Sequence, residues 1–216
     1  MITMRRELLD LALARSKPRM RGRVLDVGGR KISKRGMFRP PLESVTSWEY
    51  LNPDFASAPD YAGTAEKIPL PDESMDTIVM SEVLEYVDDF AKAMAEINRV
   101  LKPGGFFLLS IPLVTAIHGD AEWDRQRFTR TRLEEISGRS GFEVVEVEEM
   151  GSLGAVLHDL LQAYLGYASN NSANLPFRVA RRLLALGMPL FRLLDARSGR
   201  QRRWINTGYF IVMRKS

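Results

Sequence analysis

VLDVGG, residues 24–29, is the stretch on which the fold turns. Val24, Leu25 and Val27 make a short apolar strand, Asp26 stands near its carboxyl end, and the pair Gly28-Gly29 allows a tight turn beside a ligand. Two later blocks extend the pattern: IPLPDESMDTIVMSEVLEYVDD, residues 68–89, and RVLKPGGFFLLSIP, residues 99–112. Ile78, Val79 and Met80 close an apolar strand running from Asp76 to Met80. Phe90, Met94, Ile97 and Leu101 then recur at helical spacing and belong to a core. Pro103-Gly104-Gly105 ends that helix and turns the chain into FFLLSIP, a strand apolar enough to be buried on both faces. Strands alternating with helices predict an α/β sheet whose ligand sits outside the strands' carboxyl ends.

In this order and spacing the three blocks resemble the class I S-adenosylmethionine-dependent methyltransferases, in particular the branch often labelled type 11. The resemblance implies a Rossmann-like, doubly wound, seven-stranded sheet. Its last strand, GYFIVMRK at 208–215, is expected antiparallel, with a helical insertion before it. It implies S-adenosyl-L-methionine as cofactor and a small-molecule or lipid-linked methyl acceptor. By position, Asp26, Gly28 and Gly29 would lie against the methionine part, and Thr64, Ala65 and Glu66 against the adenine. Ser81 and Glu82 would form the pocket floor. Asp54, at the end of SVTSWEYLNPD (44–54), would accept from the ribose diol, with Glu49 as the alternative. On the acceptor side His118, Asp124, Arg127, Phe128 and Thr129 match the family. His118 is the candidate base because an imidazole titrates near neutrality, and Asp124 is a second catalytic candidate, with an Asp124–Arg127 ion pair or loop clasp as the other reading.

The chain departs from the family pattern at three places. Arg30 and Lys31 follow the glycine pair where further small residues are usual, Thr64 stands in place of an Asp, and Tyr86 in place of a His. These departures define an alternative, a non-catalytic scaffold or membrane-surface module that keeps the fold. A nicotinamide enzyme is disfavoured because the G-x-G-x-x-G spacing that brings a helix N-terminus to a pyrophosphate is absent.

The segment KISKRGMFRPPLES, 31–44, shows little helical periodicity and predicts a short helix plus loop or an open flap in place of a long crossover helix. Thr131 with Glu134 fits a capping box, and Gly141 breaks the chain before a strand at Phe142–Val147. One methyltransferase domain over 1–216 accounts for the chain, with 150–205 as a helical, basic lid or insertion.

Of 31 Lys+Arg and 27 Asp+Glu in the whole sequence, ten basic residues and Asp195 alone fall in 176–216, so the basic character is local. Only Trp204 interleaves those arginines with an aromatic, which argues against nucleic acid. Leu183, Leu184, Leu186, Leu190, Phe191 and Leu194 with flanking arginines make 176–203 cationic and amphipathic. That segment is expected to pack as a lid over the acceptor side, with peripheral membrane contact or dimerisation as further options. Arg5, Arg6, Glu7 and Asp10 interrupt any apolar leader, which predicts a cytoplasmic, and at most membrane-associated, protein. With no cysteine and two widely separated histidines, no metal-ligand pattern is present in the sequence.

Overall fold

The computed structural model describes residues 3–32, 36–117, 122–171, 175–198 and 204–216, without the side chains of 168–171. Its elements run α1 (Met4–Arg15), β1 (Arg23–Val27), β2 (Ser47–Leu51), β3 (Met75–Ser81), α2 (Phe90–Val100), β4 (Leu101–Pro112), α3 (Arg130–Arg139), β5 (Phe142–Met150), α4 (Leu153–Asn171), α5 (Leu175–Leu186), α6 (Met188–Arg197) and β6 (Gly208–Lys215). The strands form a single sheet in the order β2-β1-β3-β4-β6-β5. β2, β1, β3 and β4 are mutually parallel, and β6 lies antiparallel between β4 and β5.

This is the expected α/β sheet with an antiparallel final strand, but the described residues contain six strands rather than seven. Beside β2, Tyr61 makes only an isolated parallel bridge to Leu51. The Tyr61 N–H donates to the Tyr50 carbonyl at 3.0 Å and its carbonyl accepts the Asn52 N–H at 3.1 Å, but the Asp60 carboxylate takes the Tyr50 N–H at 2.9 Å and Pro59 and Gly63 flank the bridge, so the pairing does not lengthen into a strand.

Alternation along each strand sends side chains to two cores. Leu25, Val27, Ile78, Met80, Phe107 and Leu109 face α2 and α3, where Met94, Ile97, Leu133 and Ile136 meet them. Val24, Trp48, Val79, Leu108 and Val212 face the other way, onto Leu9, Ala12 and Leu13 of α1. Strands buried on both sides explain why β3 and β4 read as unbroken apolar runs.

Helix α3 begins two residues before the predicted capping box. Thr129, not Thr131, is the N-cap, its hydroxyl accepting from the Arg132 amide at 3.4 Å, and Glu134 pairs with Arg130 at 2.8 Å instead of turning back to the cap. Between β1 and β2 the described residues hold no helix, so the open-flap reading of 31–44 stands.

Helix α4 is tied to α1 by polar bonds. The Met4 and Arg5 amides donate to the Asp159 carboxylate at 2.8 and 2.9 Å, satisfying open N–H groups at the start of α1. His158 Nδ1 lies 2.8 Å from the same carboxylate. Asp195 of α6 in turn accepts from the Ser152 amide and hydroxyl at 2.5 and 2.6 Å, at the start of α4.

Leu108, fully buried between β3, β6 and α1, is expected to cost about 2–5 kcal/mol of unfolding free energy when replaced by Ala. Leu183→Ala on the exposed face of α5 should change it by less than about 0.5 kcal/mol. Urea titration of both variants measures the contrast.

Candidate functional site

The chain leaves β1 toward β2 and later returns to β3 on β1's other side, so the connections part above β1 and leave a crevice at the strands' carboxyl ends. A cleft of about 670 Å³ occupies it. Among the residues named from sequence, Asp26, Gly28, Gly29, Thr64, Ala65, Glu66, Ser81 and Glu82 line this cleft.

Gly28 adopts φ +75°, and a Cβ placed there would sit 2.4 Å from Val83 Cγ2. Its N–H donates to the Leu51 carbonyl at 2.8 Å, which binds the turn to β2. At Gly29 a Cβ would come within 2.3 Å of the Asp26 carboxyl carbon. The backbone therefore approaches the cleft more closely than any side-chain-bearing residue allows.

Asn52, the first residue after β2, secures the turn from the other side. Its amide nitrogen donates to the carbonyls of Gly28 and Gly29 at 3.1 and 3.0 Å, and its oxygen accepts from the Asp54 N–H at 2.9 Å. Sequence reading passed over this residue, although an Asn-Pro directly after a strand is a turn signal that could have drawn attention to it.

Asp54 does not belong to the cleft lining. Its carboxylate accepts from the Ala56 amide at 2.9 Å, capping a single 3-10 turn at Phe55–Ser57, and lies 3.7 Å from Arg30. Glu49 lies within β2 and is engaged there. Burial works against its charge, but hydrogen bonds from Arg23, Ser47 and Tyr61 outweigh it and hold the carboxyl at about 2. Asn52, at the carboxyl end of β2, thus stands where a ribose-binding carboxylate was expected.

At the far wall, Ala65 is buried and the Glu66 carboxylate accepts from the Asp89 amide at 2.7 Å, fastening the 64–67 turn to the start of α2. At the floor, Glu82 has φ +55°, a left-handed conformation uncommon for this residue type. Its N–H donates to the Ser110 carbonyl at 3.1 Å. Its carboxylate accepts from Arg5 Nε at 2.9 Å, from the Arg5 Nη2 group and from the Ser110 hydroxyl at 2.9 Å. Burial raises the Glu82 pKa, but Arg5 and Ser110 lower it further, so Glu82 remains ionised.

Glu85, one 3-10 turn on and fully buried, behaves oppositely. Burial, then the charge of Glu82, pushes its carboxyl up to about 8. The ionised Glu82 of the floor thus has a protonated carboxyl, Glu85, buried behind it outside the cleft lining.

The cleft has a second arm down the α1 face of the sheet. Asp26, Trp48, Tyr50 and Val79 form its base, Arg6, Asp10 and Leu13 come from α1, and Phe38 and Pro40 come from the flap. Trp48 Nε1 donates to Asp26 at 3.3 Å, and Phe38 rests against Trp48 with ring centroids 6.2 Å apart. Asp10 accepts the Met37 amide at 2.6 Å, hanging the flap from α1. Burial, then Asp26 and Asp60, raises the Tyr50 hydroxyl to about 12. This arm exists because no crossover helix covers the sheet between β1 and β2.

On the acceptor side Tyr86, Asp88 and Trp123 line the rim, with the Arg125 guanidinium 4.9 Å from the Trp123 ring centroid. Asp124 is absent from the lining. Its nearly inaccessible carboxylate accepts from Arg127 Nη2 at 2.7 Å and clasps the loop. His118 lies outside the described residues. No described residue of α4, α5 or α6 lines the cleft; α4 packs beside α1, and α5 and α6 pack on α4.

Known proteins resemble this chain in part of its sequence and in its fold. A family model described as "Methyltransferase domain" matches residues 46–109. A Bacillus subtilis protein described as an uncharacterized methyltransferase is 30% identical over 115 residues, 48% of this chain and 46% of that protein. A Francisella philomiragia ubiquinone/menaquinone biosynthesis C-methyltransferase is 36% identical over 86 residues, 40% of this chain and 28% of its own length. The chain therefore spans less than half of these curated relatives. Over nearly the full chain, the solved S-adenosylmethionine-dependent methyltransferase of Mesorhizobium loti has the same fold, with TM-score 0.57, 19% identity, and coverage of 95% of this chain and 96% of that one.

Glu85 sets a pH signature. Its folded pKa of about 8 stands above the ordinary 4.5, so its contribution to stability is complete below about pH 4.5 and is lost as pH rises through 8. Thermal melts should show a decline in Tm between these values that Glu85→Gln flattens. An unchanged slope in that variant would place the titration elsewhere.

Proposed function

We propose that the chain is a class I S-adenosylmethionine-dependent methyltransferase that transfers a methyl group from S-adenosyl-L-methionine to a small-molecule or lipid-linked acceptor, a reading supported by the match of residues 46–109 to a methyltransferase domain and by the shared fold. The observation that carries this reading is the cleft of about 670 Å³ at the carboxyl ends of β1 and β3, lined by Gly28, Gly29, Asn52 and the Thr64–Glu66 turn.

The residues present fit the cofactor. Gly28 and Gly29 offer backbone for its amino-acid part, Asn52 lies where its ribose would pass, and the Thr64–Glu66 turn walls the adenine end. The volume, about 670 Å³, lies in the range of small-molecule and cofactor sites. When bound, the cofactor supplies an electrophilic methyl group on a positively charged sulfur.

The protein's own task in such a displacement is alignment, holding the acceptor atom in line with the methyl group at near-contact distance. The Arg5–Glu82–Ser110 network keeps the floor of the cleft rigid. Asp124, committed to Arg127, holds the loop and is assigned no proton transfer. His118 remains the proposed base for a hydroxyl acceptor. The similarity to a quinone-biosynthesis enzyme supports an apolar, ring-bearing acceptor, and the aromatic second arm of the cleft suits one.

Calorimetric titration with S-adenosylmethionine and S-adenosylhomocysteine tests the reading. Binding at micromolar levels is expected, weakened about tenfold or more by Asn52→Ala and lost in Gly28→Val, with the wild-type melt confirming a folded sample. A folded wild-type chain that binds neither compound would overturn the transferase reading in favour of a scaffold.

A further inference from the structure

Helices α4, α5 and α6 present apolar stripes to the surroundings. On α4 the buried face combines Ala155 and Val156 with the polar His158, Asp159 and Gln162, while Leu157, Leu160, Leu161, Tyr164 and Tyr167 face solvent. With Leu153, these exposed positions recur at intervals of three and four, which makes one continuous stripe. Helix α5 has no buried residue, and its own stripe of Leu175, Val179, Leu183 and Leu186 is exposed, Leu183 by 62% and Leu186 by 77%. Leu190, Leu193 and Leu194 repeat the pattern on α6. A Tyr164–Phe177 ring contact, centroids 6.3 Å apart, links the α4 stripe to α5. So much adjacent apolar surface exceeds what scattered surface leucines explain.

The polarity of α4 has a physical cause. Its buried polar face is occupied in binding the amide groups of α1 through Asp159, so the apolar face has no protein core to enter. The cleft does not take it either, since no described residue of these helices lines it.

The charges on the same helices say what does cover it. The described residues of α5 and α6 carry Arg178, Arg181, Arg182, Arg192 and Arg197, and their one acid, Asp195, is buried against Ser152. Arg192 is paired with Glu7 of α1 at 2.8 Å, and the remaining arginines leave the outward charge of these helices positive. A symmetric contact with a second copy would set these arginines against one another. An anionic lipid surface receives both the leucines and the arginines. No helix among the described residues is long and apolar enough to cross a membrane, so the contact lies in the interface plane.

We propose that the outward face of α4, α5 and α6 docks this protein on an anionic membrane surface, with the leucine and tyrosine stripes in the headgroup region and Arg178 and Arg182 at lipid phosphates. This goes beyond the methyl-transfer reading and does not rest on it.

The full chain should co-sediment with vesicles of phosphatidylcholine containing phosphatidylglycerol, much less with phosphatidylcholine alone, and less again at high salt. Replacing both Arg178 and Arg182 by Gln should lower the partition coefficient by about fivefold per charge removed. Leu183→Ser with Leu186→Ser should lower it by about tenfold or more, and because all four side chains are exposed the melts should not move. The proposal fails if the folded wild-type chain stays in the supernatant with the anionic vesicles, or if the leucine variant partitions as the wild type does. It fails equally if sedimentation equilibrium shows a dimer that the leucine substitutions dissociate while vesicle binding is absent. S-adenosylmethionine titration of the same preparation reports separately on the cleft.

Discussion

The closeness of the backbone to Val83 at Gly28 governs the upper edge of this molecule. Because a Cβ at Gly28 would stand 2.4 Å from a Val83 methyl, the tips of β1 and β3 can approach only with glycine between them. Once they do, the chain beyond β1 must turn toward β2, where the Gly28 amide finds the Leu51 carbonyl and Asn52 holds both glycine carbonyls. The cleft is the space this arrangement leaves open. Its walls are set by strands buried on both faces, whose packing tolerates little adjustment.

Arg5 conveys that rigidity to the rest of the fold. Its guanidinium neutralises Glu82 at the cleft floor, while its backbone amide, with that of Met4, binds Asp159 of α4. Two buried charges thus meet on the first turn of one helix, and removing either partner would leave the other unpaired in low dielectric. Glu85 stays protonated chiefly because it is buried, although the Arg5 charge pulls its pKa the other way. With Glu82 already ionised beside Arg5, a second buried carboxylate would add like-charge repulsion to its desolvation cost.

The missing crossover helix and the outward leucines share an origin in how polar bonds are distributed. Between β1 and β2 the chain crosses as a flap hung from Asp10, so the sheet face that a helix would cover instead lines an aromatic arm of the cleft. In α4 the polar residues are drawn inward to α1 and Ser152 draws Asp195 of α6, leaving the apolar faces outside. In each case a local hydrogen-bonding requirement prevailed over the burial of apolar surface.

Strand and helix periodicity made the sheet, its parallel half, α2, and the cleft's position at the strands' carboxyl ends readable in the chain itself, because these depend on local alternation of apolar residues and on turn residues such as Gly28 and Gly29 directly after a strand. Eight of the named positions, from Asp26 to Glu82, accordingly line the cleft. Tertiary structure decided what depends on long-range partners. Asp54 turns to cap its own 3-10 turn while Asn52 takes the place beside the glycines, and Thr129 wins the cap of α3 over Thr131. The Arg5–Glu82 pair joins residues 77 positions apart. The outward face of α4 follows from Asp159 reaching residues 154 and 155 positions away. An amphipathic pattern specifies that a helix has an apolar side. Only the packing of the whole chain determines whether that side meets the core or the surroundings.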